Sequence, residues 1–468
     1  MKPPFLLLLA FTSAAAFAAT PQWPQFRGPN ASGVADTDKP PVEFGPDTNL
    51  LWKTEVPGGL SSPCLWGDRI FLTAAGDGKL LTLAVNRRDG KILWRQAVSA
   101  GQPRELHKKN HPAAATPATD GRSVCVFHAT FGLVTYDLDG RERWRQPMPG
   151  LLTRNGSGTS PAMLDGRLVL NCDVEEGKSF LAAFDPATGK ELWRTSRAGF
   201  LSGYTTPVRW PREGRDEVVV VGSLRVVGYN LRDGQERWSI GGTEAVSVCP
   251  TPVIGDGHLY VMSRSMSGTK LPPFILFAAG VDKDGDGKIS REETPKQFLE
   301  QGMFGGIDRD QDGFITAKEW EEATAFLGQA DYGIFALKPP GEGQLTTNAV
   351  AWKHKKGVAS VSSPLFYRGR VYVAQDGGRV TCFDARSGSK LYEQERLEAD
   401  GDYYASPFAA NGQVYYCSGK GTVTVAEAGD TLRVKARNPL GEPIYATPAI
   451  AADTLYVRTT GHLWAFGR

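Results

Sequence analysis

The sequence has few cysteines and almost no net charge, and both features limit its possible functions. Its 468 residues include six cysteines and six histidines, and the formal net charge is +2 at pH 7. No two cysteines are adjacent and none forms C-x-x-C, so the chain offers no attachment motif for c-type haem. The cysteines are scattered, and the sequence leaves any disulfide pairing open. The balance of charge gives no reason to expect nucleic-acid binding.

Long apolar runs are also scarce, which bears on membrane association. Lys2 is followed by the run PFLLLLAF and then by small residues up to Ala18. This pattern is typical of a secretory signal peptide, and the run is too short for a comfortable membrane span. The first cysteine is Cys64, so no lipid anchor is expected near the cleavage site. We therefore expect cleavage after Ala18 and a periplasmic or secreted chain without a membrane span.

What the sequence does contain is a repeat of about 41–46 residues, the period of a β-propeller blade. Each copy opens with Ser or Thr followed by Pro, and there are eight copies. Most copies close with an aromatic residue four positions after a turn glycine, as at Gly189 and Trp193. A large ring at a fixed blade position is expected to fill the wedge between neighbouring blades. The opening pairs are Ser62-Pro63, Thr116-Pro117, Ser160-Pro161, Thr206-Pro207, Thr251-Pro252, Ser363-Pro364, Ser406-Pro407 and Thr447-Pro448.

The two ends of the chain complement each other. Leu50 to Lys53 reads as the fourth strand of a blade that lacks its first three, whereas the eighth copy ends after a third strand at His462 to Phe466. The sequence therefore predicts an all-β fold, an eight-bladed propeller closed by an N-terminal strand. The expected divisions are a signal peptide (1–18), an extension (19–48), propeller (49–267), an α-helical insertion in blade 5 (268–330) and propeller again (331–468).

The insertion carries the most specific chemical pattern in the chain. DKDGDGKISREE from Asp282 and DRDQDGFITAKE from Asp308 both match D-x-D-x-D-G-x5-E, the EF-hand calcium loop. Carboxylates at loop positions 1, 3 and 5, a carbonyl at 7 and a bidentate Glu at 12 converge on one ion. We predict two Ca²⁺ sites, with ligands Asp282, Asp284, Asp286, Lys288 and Glu293, and Asp308, Asp310, Asp312, Phe314 and Glu319.

The predicted calcium could have either of two roles. It can fold an insertion that would otherwise be disordered, or it can open an apolar groove as in a sensor. Ile289 and Ile315 at loop position 8 are expected to pair through a short β contact. Pro295 follows the first loop closely and should shorten or bend the helix there.

The loop between the second and third strands of a blade emerges on the same face as the blade-to-blade linkers. The insertion should therefore share a face with the basic segment around His107 to His111 and with tyrosines that precede inner strands. The two histidines could ligate a metal ion together, lie in a solvated loop, or bind an anion or a partner. The candidate binding residues of this loop face are His107, Lys108, Lys109, His111, Tyr204, Tyr404 and Tyr445.

The repeats, with D-x-x-T-G-K-x-x-W at Asp185 to Trp193, resemble the pyrroloquinoline-quinone-type propeller repeat. That superfamily includes quinoprotein alcohol dehydrogenases and non-catalytic BamB-type proteins of outer-membrane assembly. The resemblance implies the fold. It leaves open three functions: an exported non-catalytic scaffold, a quinone-dependent dehydrogenase, or a calcium-dependent binder of carbohydrate or another polymer.

The first of these functions is favoured. The alcohol-oxidising relatives carry a disulfide between adjacent cysteines beside the quinone, and this chain has no such pair. Bound pyrroloquinoline quinone is therefore not expected, and no catalytic residue is assigned. The expected partners are calcium and, on the loop face, another protein or an extracellular polymer.

Overall fold

In the computed structural model, eight antiparallel sheets form the blades of a closed ring. The structure describes residues 20–100, 106–107, 109–148, 151, 153, 155–174, 178–212, 214–264, 271–300, 303–308 and 312–468. The all-β, eight-bladed propeller predicted from the repeat is confirmed. The expected signal peptide lies outside the described residues. Among the described residues, no helix is both long enough and apolar enough to span a membrane.

Each blade contributes strands A to D in order, and neighbouring A strands contact one another around the axis. Blades 1 to 4 comprise Cys64–Trp66, Arg69–Gly76, Lys79–Asn86 and Ile92–Ser99; Ala118–Thr119, Ser123–His128, Gly132–Asp137 and Glu142–Pro147; Ala162–Leu164, Arg167–Cys172, Phe180–Phe184 and Glu191–Ser196; Val208–Arg212, Arg215–Val221, Arg225–Asn230 and Glu236–Gly241. Blades 5 to 8 comprise Val253–Gly255, His258–Ser263, Gly333–Leu337 and Val350–His354; Leu365–Tyr367, Arg370–Gln375, Arg379–Asp384 and Lys390–Arg396; Phe408–Ala410, Gln413–Cys417, Thr422–Glu427 and Arg433–Pro439; Ala449–Ala451, Thr454–Arg458, His462–Phe466 and Leu50–Glu55.

The Ser/Thr-Pro pairs link the blades near the axis. In six of the eight pairs, the hydroxyl accepts a hydrogen bond from the backbone N–H of its counterpart in the preceding blade. Thus Thr116 Oγ1 accepts from Ser62 N–H at 3.0 Å, and Ser160 Oγ accepts from Thr116 N–H at 3.0 Å. Further links of this kind join blades 4 to 5, 5 to 6, 6 to 7 and 7 to 8. The hydroxyl is therefore needed because it satisfies a buried backbone donor of the preceding blade.

The closing aromatic residues fill the space between blades, as predicted. The Trp144 ring lies against Gly189 of the next blade, and its Nε1 donates to Pro186 O at 3.0 Å. Equivalent bonds run from Trp52 to Arg87 O, Trp94 to Leu138 O, Trp193 to Leu231 O, and Trp352 to Ala385 O. Each ring therefore fills the space between two blades, and its indole N–H bonds a turn carbonyl that would otherwise bond water.

Trp238 is the exception, because blade 5 lacks the short turn that would receive it. Its ring lies over Gly228 of its own blade, and its Nε1 donates to Glu217 Oε2 at 2.9 Å. The connection between the last two strands of blade 5 carries Gly343–Gln344, which pairs in parallel with the blade 4 strand at Trp238 and Ser239. A short 3-10 helix, Thr347–Ala349, follows.

The ring is closed by Leu50–Glu55, which pairs antiparallel with His462–Phe466 in blade 8. Glu442 fixes this junction, because its carboxylate accepts from Thr459 Oγ1 at 2.6 Å and lies 3.4 Å from Lys53 Nζ. Burial alone would raise the pKa of Glu442, but the hydrogen bonds from Thr459 and His462 outweigh it and hold the pKa at about 2. The expected N-terminal closing strand is therefore observed.

The segment before this strand crosses the inner strands at the end of the ring where the A–B turns lie. It includes Gln22–Trp23, which pairs with Cys64–Trp66, and the 3-10 helix Pro29–Ala31. It contacts seven blades. In blades 1 to 4, Trp23 pairs with Leu65, Pro24 O accepts from Thr119 N–H, Gln25 Oε1 accepts from Met163 N–H, and Asn30 Oδ1 accepts from Arg209 N–H. In blades 6 to 8, Arg27 donates to Pro364 O, Val34 forms a β-bridge with Ala409, and Asp38 Oδ1 accepts from Asp453 N–H. This end of the ring is therefore covered by the chain itself.

The insertion leaves blade 5 between its second and third strands, so it lies on the opposite face. It contains helices α1 (Phe274–Val281), α2 (Lys296–Glu300), α3 (Met303–Ile307) and α4 (Ala317–Gly328). The strands Ile289–Ser290 and Phe314–Ile315 pair antiparallel, with Ile289 opposite Ile315 as predicted. Residues 291–294 form a turn and α2 begins directly after Pro295, so the helix that leaves the first loop is shortened as the proline predicted.

Candidate calcium centre

The first loop of the insertion brings three carboxylates together. Oxygens of Asp282, Asp284 and Glu293 lie within 4.8 Å of one another. Backbone N–H groups of Gly285 and Gly287 donate to Asp282 at 2.7 and 3.1 Å, which fixes this side chain at the start of the loop. The loop therefore arranges its acidic side chains around one point, as a hard cation with oxygen ligands requires.

Glu293, at loop position 12, closes the loop by reaching back to its beginning. Its Oε1 accepts from Lys283 N–H at 2.8 Å, and its Oε2 accepts from the N–H and hydroxyl of Ser290. These hydrogen bonds, led by the one from Lys283, lower the pKa of Glu293 to about 2. The carboxylate is consequently charged at neutral pH.

The second loop is built in the same way. Asp308 Oδ2 accepts from Gly313 N–H at 3.2 Å, and Glu319 forms a capping box with Thr316 at the start of α4. Asp308 is 7% exposed, and its Oδ1 is buried without a hydrogen-bond partner in the described part of the chain. A buried carboxylate oxygen needs a donor or a cation. Asp310 lies outside the described residues.

The remaining predicted ligands hold the turns. Asp286 Oδ1 accepts from Lys288 N–H at 2.8 Å, and Asp312 Oδ1 accepts from Phe314 N–H at 2.9 Å. The three converging carboxylates of loop 1 and the unsatisfied oxygen of Asp308 fit a calcium ion in each loop. The ion would be held by the predicted ligands and would supply the positive charge that these acidic groups need.

The insertion has a small apolar core of its own. Trp320 is 1% exposed, its ring centroid lies 4.1 Å from that of Phe277, and its Nε1 donates to Pro272 O at 2.8 Å. Phe274 and Phe298 complete the aromatic cluster. These rings pack on one another inside the insertion. Ile275 and Leu276 on α1 remain 75% and 67% exposed.

On the loop face, the structure brings some of the predicted residues together. Lys109 Nζ lies 2.6 Å from Asp402 Oδ2 and 5.1 Å from the centroid of the Tyr404 ring, which in turn contacts the Tyr445 ring. The hydrogen bonds that Lys109 donates to Asp402 and Tyr404 raise its pKa. The linker after blade 1 therefore contacts the linker after blade 6 on this face, a contact that no periodic signal in the sequence predicts.

The other candidates do not join this group. His111 is half-buried, its Nδ1 accepts from Ala113 N–H, and burial with the nearby charge of Arg458 lowers its pKa. His107 Nδ1 accepts from Lys109 N–H at 3.3 Å. Tyr204 lies beside Gly158, and Lys108 is outside the described residues. Among the described residues, the only group of three or more potential metal ligands is in the first EF-hand loop.

A family model described as outer membrane protein assembly factor BamB matches residues 79–271, 325–402 and 345–468. The chain belongs to this family. The gap in the match coincides with the insertion, where a second family model, EF hand, matches residues 281–298 and 299–323.

Individual members of the BamB family are distant relatives. BamB of Yersinia pestis is 22% identical over 62% of this chain and 80% of that protein. BamB of Alkalilimnicola ehrlichii is 32% identical, but over 30% of this chain and 33% of that protein.

Solved structures with the same fold include both kinds of propeller. BamB from Moraxella catarrhalis aligns with a TM-score of 0.53 and 12% identity over 89% of this chain and 99% of that one. Quinohemoprotein alcohol dehydrogenase from Comamonas testosteroni aligns with a TM-score of 0.56 and 11% identity over 96% and 81%. These similarities show the fold alone.

The cysteines of this BamB-family chain are all free thiols. Five are buried and Cys249 is partly buried, and burial raises the pKa of the Cys125 thiol to about 12. Protonated, buried thiols behave as small apolar side chains rather than as reactive groups.

Proposed function

We propose that this chain is an exported propeller scaffold that performs no chemistry itself and binds calcium through both loops of its insertion. In this proposal the calcium has a structural role: it holds the insertion folded on the loop face, where another protein binds. The relatives that are named as assembly factors support a scaffold role. The signal peptide read from residues 1–18 supports export to the periplasm or beyond.

The observation that carries the calcium part is the geometry of the two loops. Three carboxylates converge in the first loop, and a buried oxygen of Asp308 lacks a partner in the described part of the second. Without a cation, the repulsion between converging carboxylates opposes the folded loop, so metal binding and folding should be linked. The aromatic core around Trp320 provides the packing that a folded insertion would preserve.

A protein is favoured over a polymer as the partner. The candidate tyrosines of the loop face are partly buried, and Tyr404 packs on Tyr445 and lies under Lys109. By contrast, α1 exposes Ile275 and Leu276 beside each other. Adjacent exposed apolar side chains on a helix suit a protein interface.

Equilibrium dialysis against calcium tests the proposal. The wild-type chain should bind two Ca²⁺, and Glu293→Ala combined with Glu319→Ala should bind none, because each Glu supplies two of the roughly 6–8 oxygens that calcium needs. The far-UV circular dichroism of the propeller should be retained. Affinities on the order of 10⁻⁴–10⁻³ M are expected for an extracellular module.

The matched control is Glu292→Ala with Glu321→Ala, which removes two exposed acids next to the ligand positions. This variant should still bind two ions. Equal calcium uptake by all three proteins would refute the assignment of the ligands. Saturable one-to-one binding of pyrroloquinoline quinone with dye-linked alcohol oxidation would instead contradict the non-catalytic role.

A further inference from the structure

A cavity of about 380 Å³ lies on the loop face, between blade 5, its linker to blade 6, and blade 6 itself. Arg264 and Tyr332, on either side of the insertion, line one part of it. Lys355 and Lys356, in the linker from blade 5 to blade 6, line another. Asp376, in the loop between the second and third strands of blade 6, and Arg379, at the start of that third strand, line a further part. Its volume is within the range of sites for small molecules.

The walls of this cavity carry four cationic side chains and one carboxylate. The carboxylate, Asp376, is already engaged, because its Oδ1 accepts from Tyr403 N–H at 2.7 Å. Two of the cations have partners: Lys355 Nζ lies 3.0 Å from Asp331 Oδ1, and Arg264 Nη1 donates to Ser360 Oγ at 2.8 Å. The protein thus compensates only part of the positive charge.

Lys356 and Arg379 make no ion pair within the described part of the chain. Both are exposed and belong to different segments, a linker and a strand, so the fold holds them at one cavity although like charges repel. The whole chain has a net charge of only +2, so this concentration of charge is local. A concave site lined by one sign of charge attracts ligands of the opposite sign.

We propose that this cavity binds a small anion with two or more negative charges, carried by carboxylate or phosphate groups. Lys356 and Arg379 contact the anionic groups, and Lys355 and Arg264 add to the local potential. The floor is formed by Gly357 and Val358, both buried, and Gln375 Nε2 donates to Val358 O at 2.8 Å, which fixes the linker beneath the ligand. The lining of the site shares no residue with the calcium loops.

Isothermal titration calorimetry with two probes tests this proposal: tricarballylate for carboxylates and inorganic pyrophosphate for phosphates. The titrations are done in calcium-free buffer because both probes bind calcium. The wild-type protein should bind at least one probe with one-to-one stoichiometry, and affinity should fall with added salt. The probe that binds more tightly identifies the anionic group that the cavity prefers.

Two variants should change affinity in opposite directions. Lys356→Ala with Arg379→Ala should weaken binding at least tenfold. Asp376→Asn should strengthen it severalfold, because it removes the one negative charge and keeps the acceptor for Tyr403 N–H. If these side chains had only a structural role, the two variants would not change the affinity for the probe in opposite directions.

The control is Lys190→Ala with Arg386→Ala, which removes two exposed cations from turns on the other face. It should leave affinity unchanged. The proposal is refuted if the wild-type protein binds neither probe, or if the double variant at the cavity binds as tightly as this control.

Discussion

Single glycine positions decide how closely the blades pack. Gly189 has a φ of +74°, and a Cβ there would lie 2.6 Å from the Trp144 ring of the preceding blade. Gly166 has nearly the same φ, +71°, but nothing lies within 4 Å of its added Cβ. The two turns therefore differ in their surroundings and hardly in their backbone conformation.

This pair separates backbone strain from packing. Gly166→Ala should cost about 1–2 kcal/mol in the free energy of unfolding, the penalty of a left-handed conformation for a residue with a Cβ. Gly189→Ala should cost at least about 1 kcal/mol more, because the ring of Trp144 must move. Urea unfolding of both variants measures the difference. Equal losses would show that the Trp144 contact contributes nothing.

At the level of residues, the sequence shows which positions repeat, but it does not show the interactions that require them. The sequence predicts where each Ser/Thr-Pro pair begins a blade, because the pair recurs. The hydrogen bond that Thr116 accepts from Ser62 N–H joins two blades, so it becomes visible only when the ring is assembled.

Among the elements, the segment of residues 22–38 contacts seven of the eight blades. Trp23 is 1% exposed and packs beneath Gly28, whose added Cβ would lie 2.7 Å from the ring. The segment contacts a different blade at nearly every step, and its partners are far apart in sequence. Arg27, for example, donates to Pro364 O. No period or spacing predicts such contacts, so the sequence assigned this region only as an extension.

Trp23→Ala should therefore destabilise the propeller by about 3–5 kcal/mol, the usual cost of truncating a buried aromatic side chain. Calcium uptake should be unaffected, because the insertion lies on the opposite face. Denaturant unfolding with parallel equilibrium dialysis measures both effects.

The matched control for that variant is Gln22→Ala, which alters the exposed neighbour in the same short strand. It should change stability by no more than about 0.5 kcal/mol. A loss of calcium binding in Trp23→Ala would mean that the N-terminal segment and the insertion do not act as separate elements.

In the whole molecule, a closed ring supports an insertion with its own core. The ring is completed by Leu50–Glu55 and Glu442, and its blades are joined by hydroxyl bonds near the axis and tryptophans farther out. The insertion depends on different interactions, namely the cluster around Trp320 and the two acidic loops. The sequence predicted both units, because each follows a local pattern. It did not predict how Lys109 and Asp402 link distant loops, or that cations from three segments line one cavity.

Hydrogen exchange measured by mass spectrometry, with and without calcium, tests most directly whether calcium folds the insertion on a propeller that is already formed. Peptides from residues 274–328 should become strongly protected when calcium is added, whereas peptides from the blade strands should exchange at the same rate in both conditions. Protection that spreads through the blades, or an insertion equally protected without calcium, would contradict this account.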